Sequence, residues 1–174
     1  MEPGPFYQWE ESAHRLGREG FLAALRTPVL VVYDPLPELS EGDDQHVETG
    51  KFAAVRERRP TPRQPASGSL VLPLQKSVKI GNLFPAMITV GRARNNDVVL
   101  PSREVSSFHA WFAPAAGGWT VCDAESSNGT LVDGQSAQKP APVRSGQEVC
   151  FARVRCRFFL PEELWELCQA GAPA

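Results

Sequence analysis

Apolar residues near the start of the chain recur at steps of three and four positions. They are Phe6, Trp9, Ala13, Leu16, Gly20, Phe21, Ala24 and Leu25. This spacing places them on one stripe of an α-helix, because 3.6 residues complete a turn. Pro5 suits the first helical turn and Pro28 is expected to end the helix. The apolar run at 29–33 then predicts a short strand.

From residue 70 onward, short apolar runs alternate with Gly, Asn, Asp and Pro. The runs cover residues 70–74, 87–91, 97–100, 109–113, 119–123, 130–133, 148–152 and 154–160. Many short strands separated by frequent turn signals predict an all-β sandwich or barrel. Paired turn residues at 117–118, 133–134 and 145–146 predict hairpins within it. Pro161, followed by two glutamates, predicts the start of a short C-terminal helix.

The stretch between these regions has a different composition. Residues 34–50 are rich in proline and acids and predict a loop, and residues 51–55 form a possible further strand. Residues 56–69 predict an extended linker that contains Arg56, Arg58, Arg59 and Arg63. A solvated linker explains this basic cluster better than an RNA, DNA or acidic-protein contact. We therefore expect an N-terminal helix and strand extension with its linker at 1–67, a sandwich at 68–160, and a helix and tail at 161–174.

Charge and cysteine usage narrow the classes of function. The 174-residue chain has 18 basic and 20 acidic residues, which disfavours nucleic-acid binding as its main role. Residues 68–160 nevertheless carry 10 basic and 6 acidic residues, a mildly cationic body that suits an anionic ligand. No apolar run could span a membrane and no signal peptide is evident, so a cytoplasmic location is expected. The four cysteines, Cys122, Cys150, Cys156 and Cys168, match neither zinc nor redox spacing, and no metal or cofactor is expected.

Three linked motifs within 68–160 resemble a known family. The first motif consists of Gly91-Arg92 followed by Asn96-Asp97 and Leu100. The second is an S-x-x-H motif formed by Ser106 and His109, and the third is the sequence S-S-N-G-T at residues 126–130. In this order and at these separations they are similar to the forkhead-associated (FHA) domain, here of bacterial type. The resemblance implies an antiparallel β-sandwich whose loops at one end bind phosphothreonine in a partner protein, in Ser/Thr kinase signalling.

The resemblance also implies a role for each motif residue. Arg92 and Ser106 would contact the phosphate, with Ser107 as a further neutral donor, and Ser127 and Asn128 would contact the peptide beside the phosphothreonine. The remaining motif residues, Gly91, His109 and Gly129, would shape the loops. Many family members carry a larger polar or basic residue at the position of Ser107. A neutral donor there is expected to weaken phosphate binding by about 1–2 kcal/mol.

Two other functions compete with a phosphothreonine reader. Ser106, His109 and Asp123 include the residue types of a hydrolytic triad, but the chain lacks a G-x-S-x-G elbow, and catalysis is not expected. A sandwich of this family with a degenerate site could instead act as a phosphate-independent scaffold. Binding that depends on the phosphate would identify the reader, and equal binding of both peptide forms would identify the scaffold.

Overall fold

The computed structural model describes residues 1–33, 36, 64–77 and 85–170. The two helices are α1 (Phe6–Ala24) and α2 (Pro161–Ala170). The strands are β1 (Gly4–Pro5), β2 (Val29–Val32), β3 (Leu70–Pro73), β4 (Ile88–Gly91), β5 (Val98–Val99), β6 (Ala110–Ala115), β7 (Gly118–Asp123), β8 (Thr130–Val132), β9 (Gln135–Ser136), β10 (Ala141–Val143), β11 (Glu148–Phe151) and β12 (Val154–Phe159). The predicted strand at 51–55, the loop at 34–50 except Leu36, and the basic part of the linker lie outside the described residues.

Two sheets face each other across one core, which confirms the predicted β-sandwich. One sheet has the order β1-β3-β2-β12-β11-β8-β9 and the other the order β10-β7-β6-β4-β5. All strand pairs are antiparallel except β4 with β5. Side chains alternate across each strand, so Val154, Cys156 and Phe158 of β12 enter the core. Three phenylalanines fill its centre, with Phe112 stacked on Phe158 and edge-on to Phe151.

The helices cover the outer face of the seven-stranded sheet. Phe6, Trp9 and Phe21 of α1 form a second apolar cluster with Leu164 and Cys168 of α2, below the outward-facing residues of β2 and β3. The sequence of β2, VLVV, does not alternate because both faces are buried. Leu30 and Val32 face the sandwich core, and Val29 and Val31 face the helices.

The strand β2 connects the predicted N-terminal extension to the sandwich. It pairs with β3 on one side and with β12 on the other. The end of the predicted linker also contacts α1, since Phe6 N–H donates to Ser69 O at 2.7 Å and Tyr7 N–H donates to Ser67 O at 3.1 Å. These bonds satisfy two donors at a helix start that has no side-chain cap. The predicted boundary between the extension and the sandwich, at residues 67 and 68, stays a prediction, and described strands from both segments share one sheet.

The helix α1 is kinked at Gly17, where φ is 64° and ψ is 178°. The kink interrupts the apolar stripe predicted from the sequence. Leu16 was expected on the buried face and is instead 39% exposed, whereas Phe21 on the next segment is fully buried. Because Gly17 has a positive φ, the helix after it is rotated relative to the helix before it. The three-and-four spacing therefore does not keep residues on one face across Gly17.

Two of the three predicted hairpin turns are correct. Gly118 begins β7 directly after the turn from β6, and Asp133 and Gly134, both with positive φ, connect β8 to β9 in the manner of a type I′ turn. The third is not a hairpin. Gln147 N–H donates to Arg144 O at 3.1 Å in a β-turn that carries the chain from β10 in one sheet to β11 in the other.

Candidate functional site

Three loops meet at one end of the sandwich and bring the predicted site residues together. The β4–β5 loop (92–97) is joined to the β5–β6 loop (100–109), because Arg92 N–H donates to Ser106 O at 2.9 Å. The β7–β8 loop (124–129) joins the same segment, since Ser127 N–H donates to Ser106 Oγ at 3.1 Å. Asn128 Nδ2 donates to Glu104 O at 2.8 Å. The β5–β6 loop thus lies between the other two.

Gly91 is required where the first two loops touch. A Cβ atom at this position would lie 2.3 Å from Ser107 O and 2.8 Å from Asn96 Nδ2. The absence of a side chain lets Ala93 N–H donate to Ser107 O at 3.2 Å. The Asn96 amide completes the junction by donating to Ala93 O at 2.8 Å and to Ser107 O at 2.6 Å. Gly91 and Asn96 therefore fix the backbone that carries Arg92.

A buried ion pair anchors the other end of the β4–β5 loop. The Asp97 side chain is 1% exposed and accepts from Lys76 Nζ at 2.8 Å. It also accepts from the N–H of Ser77 and from the N–H and hydroxyl of Thr89, at 2.8 to 3.0 Å. Burial alone would raise the pKa of Asp97, but these hydrogen bonds outweigh burial and lower the pKa. The sequence motif contains Asp97, and its anchoring role emerges only from the fold.

His109 is fully buried and connects two loops through both ring nitrogens. Its Nδ1 accepts from Ser106 N–H at 3.0 Å, so the proton resides on Nε2, which donates to Gly129 O at 3.1 Å. Gly129 O also accepts from Ala152 N–H at 3.0 Å, which adds the β11–β12 turn to the junction. Burial lowers the pKa of His109 below its usual 6.5, opposed by the hydrogen bond to Gly129 and the charge of Asp123.

We expect acid to destabilise the chain through His109. The unfolded chain takes up this proton near pH 6.5 and the folded chain only at lower pH, so the free energy of unfolding falls as pH drops through 6.5. Protonation would also place a hydrogen on Nδ1, which could then no longer accept the hydrogen bond from Ser106 N–H. Urea denaturation between pH 8 and pH 5 should show this decline in the native chain and a shallower one in His109→Gln, which retains the other two histidines. Equal slopes would contradict the assignment.

Asp123 shapes the loop that carries Ser127 and Asn128. Its Oδ2 accepts from Ser126 N–H at 2.9 Å, and its Oδ1 accepts from the hydroxyls of Ser126 and Thr130, each at 2.6 Å. Ser126 Oγ in turn accepts from Gly129 N–H at 2.9 Å. The sequence alone did not predict this positioning role of Asp123. Its place three residues before the first serine is the signal that could have revealed it.

The polar groups on the surface of the site are arranged around Ser106. The Arg92 side chain is half-buried and its Nε donates to Val105 O at 3.3 Å, which directs the guanidinium along the β5–β6 loop. The Ser106 hydroxyl accepts from Ser127 N–H, so its own hydrogen can be donated to a ligand. Ser107 is exposed beside it. The site therefore combines a fixed cation with neutral donors on loops held by a rigid sheet.

Asn128 makes a contact that the sequence did not predict. One hydrogen of its amide group is donated to Glu104 O, so the side chain braces the β5–β6 loop as well as facing outward. Its Oδ1 accepts no hydrogen bond from the described residues. The carbonyl oxygen is consequently the atom that could accept an N–H from a bound peptide.

The geometry does not form a hydrolytic triad. Both nitrogens of His109 are bonded to backbone groups, and Ser106 contacts the imidazole through its N–H and not through Oγ. Within the described part of the chain, no group of three or more His, Cys, Asp or Glu side chains could hold a metal ion. No described helix is long and apolar enough to cross a membrane.

Comparison with known proteins identifies a family model that matches part of the chain. The family model described as FHA domain matches residues 88–152. The ABC transporter ATP-binding/permease protein Rv1747 of Mycobacterium tuberculosis is 36% identical over 72 residues, which are 39% of this chain and only 8% of the transporter. An NMR-based structure of the FHA-2 domain of that transporter is 33% identical, with coverage of 47% of this chain and 75% of that domain and a TM-score of 0.38.

A second solved structure is Mycobacterium tuberculosis EmbR in complex with a low-affinity phosphopeptide. It is 25% identical, with coverage of 56% of this chain and 26% of EmbR and a TM-score of 0.43. The matched stretch of 88–152 contains every residue of the three predicted motifs and the loops that join them. The segment 88–152, which carries the three loops, is therefore similar to FHA domains.

Proposed function

We propose that the three loops bind a phosphothreonine residue of a partner protein, and that the chain acts as a non-catalytic reader of Ser/Thr kinase activity. The observation that carries the proposal is the junction of Arg92 with Ser106, where the two backbones are bonded at 2.9 Å. This junction places a guanidinium and a hydroxyl donor on adjacent loops of an FHA domain.

The chemistry of the ligand matches these donors. A phosphothreonine carries nearly two negative charges and three acceptor oxygens, so it needs a cation and several neutral donors. The Arg92 guanidinium supplies charge-assisted hydrogen bonds, and Ser106 and Ser107 supply hydroxyl donors. Since the loops are already bonded to one another, little conformational entropy is lost when the ligand binds.

A peptide backbone would extend over the β7–β8 loop. Asn128 Oδ1 can accept one of its N–H groups, and the exposed Ser127 lies on the same loop. The engagement of both His109 nitrogens by backbone groups favours binding over hydrolysis. The partner is then a protein phosphorylated by a Ser/Thr kinase, or the kinase itself, and the reader acts in the cytoplasm with it.

A library of phosphothreonine peptides tests the proposal. The purified chain should bind a subset of these peptides and should not bind their unphosphorylated forms. It should bind the phosphoserine forms more weakly than the phosphothreonine forms. Fluorescence anisotropy with labelled peptides gives the dissociation constants. Equal affinity for phosphorylated and unphosphorylated peptides would replace the reader with a phosphate-independent scaffold, and the neutral Ser107 would then be the first difference to examine.

A further inference from the structure

The exposed loops of the site differ in charge on the two sides of Ser106. On one side, the β4–β5 loop presents Arg92 and the exposed Arg94. On the other side, the β7–β8 loop presents the exposed Glu125, two residues before Ser127. The order of the loops is fixed by the bonds from Arg92 N–H to Ser106 O and from Ser127 N–H to Ser106 Oγ. A peptide bound across the site would therefore meet opposite charges at its two ends.

The charge of Glu125 has no oppositely charged partner among the described residues. Two neighbouring acids are already engaged: Glu104 pairs with Arg153 at 3.2 Å, and Asp123 accepts from the hydroxyls of Ser126 and Thr130. No described cation forms an ion pair with Glu125. Of the three acids, Glu125 alone is exposed and available to a partner.

Glu125 has a backbone conformation that is unusual for glutamate. Its φ is 56°, in the left-handed region that glycine and asparagine adopt at lower cost than glutamate. Its side chain is not used to shape the loop, since that function belongs to Asp123 and Ser126. Residues held in such sparsely populated conformations cluster at binding and active sites.

We propose that Glu125 selects phosphothreonine partners that carry a lysine or arginine close to the phosphothreonine, on the side that lies over the β7–β8 loop. This inference rests on the proposed phosphothreonine-binding function and adds a sequence preference to it. Arg92 and Ser106 would hold the phosphate, and Glu125 would pair with the basic side chain. An exposed ion pair of this kind changes affinity about two- to fivefold.

A substitution scan of one bound phosphothreonine peptide tests this preference. Each flanking position is replaced in turn by Lys, Ala or Glu, and dissociation constants are measured by fluorescence anisotropy at low and physiological salt. At one position or more, the Lys peptide should bind about two- to fivefold tighter than the Ala peptide, with a smaller difference at high salt. Glu125→Gln should bring this ratio close to one, and Glu125→Lys should favour the Glu peptide.

Glu163→Gln is the matched control, because it removes an exposed glutamate on α2, away from the loops, and should keep the native ratio. Glu125→Gly should lose the preference while melting no lower than the native chain, and a lower melting temperature would overturn the backbone argument. A ratio unaffected by Glu125→Gln would overturn the inference while leaving phosphate-dependent binding in place. Absence of any phosphate dependence would overturn the proposed function and the inference with it.

Discussion

Replacement of Arg92 by alanine should lower affinity for a phosphothreonine peptide by about 30-fold or more, which corresponds to 2–5 kcal/mol of binding free energy. The guanidinium is the cation that the β4–β5 loop directs along the segment carrying Ser106, through its bond from Nε to Val105 O. Without the guanidinium, a phosphate with nearly two negative charges would lose its hydrating water and be left with neutral hydrogen-bond donors alone, which weakens binding. Isothermal titration calorimetry of native and variant chains measures the difference.

Arg94→Ala provides the control on the same loop, because Arg94 is exposed. It should change affinity severalfold at most, mainly through long-range attraction that salt screens. Arg92→Lys should recover part of the loss, since it restores the charge without the planar fork of the guanidinium. An Arg92→Ala chain that melts normally and binds the phosphopeptide as tightly as the native chain would contradict the assignment of this residue.

Replacement of Trp9 by alanine should destabilise the chain by about 3–5 kcal/mol. The indole is 2% exposed and packs edge-on to Phe21 at a centroid distance of 6.4 Å. It belongs to the apolar cluster that covers the outer face of β2 and β3. The cavity left by the variant would be lined by this sheet and by α2, neither of which can collapse into it freely.

Tyr7→Ala is the matched control for Trp9→Ala. Tyr7 is an aromatic residue of the same helical turn, but it is 44% exposed. Its removal should cost less than 1 kcal/mol, as is usual for a surface substitution. Chemical denaturation separates the two cases. If both variants were equally stable, α1 would be a loosely attached appendage and the second apolar cluster would contribute little.

The sequence allowed the sandwich, and the assembly of the motif loops at one end of it, to be predicted because both depend on local patterns. Alternation and turn residues identified the principal strands, and the motif residues Arg92, Ser106 and Asn128 are indeed assembled at one end by their loops. The strands β9 and β10 were missed because each is only two or three residues long and is polar or contains proline. Such segments become strands through their neighbours.

Long-range contacts account for the differences. The strand β2 lies between β3 and β12, which are distant from it in the sequence. No local pattern of residues around β2 identifies these partner strands. The exposure of Leu16 follows from a left-handed Gly17, which the sequence permits without requiring. Likewise, the bracing of the β5–β6 loop by Asn128 needs Glu104 O within reach, and a motif identifies residue types without giving such distances.

The position of β2 also has a consequence for the kinetics of folding. Val29–Val32 pairs with residues 156–159, about 125 positions later in the chain, so this part of the sheet closes only after β12 has been synthesised. Until then, the edge of this apolar strand that faces β12 has no partner on the nascent chain, a state that favours association with other chains. Contacts of such sequence separation also slow folding, because the entropy of loop closure must be lost before they form. Refolding of this chain should accordingly be slow for its size, with the β2–β12 pairing among its last steps.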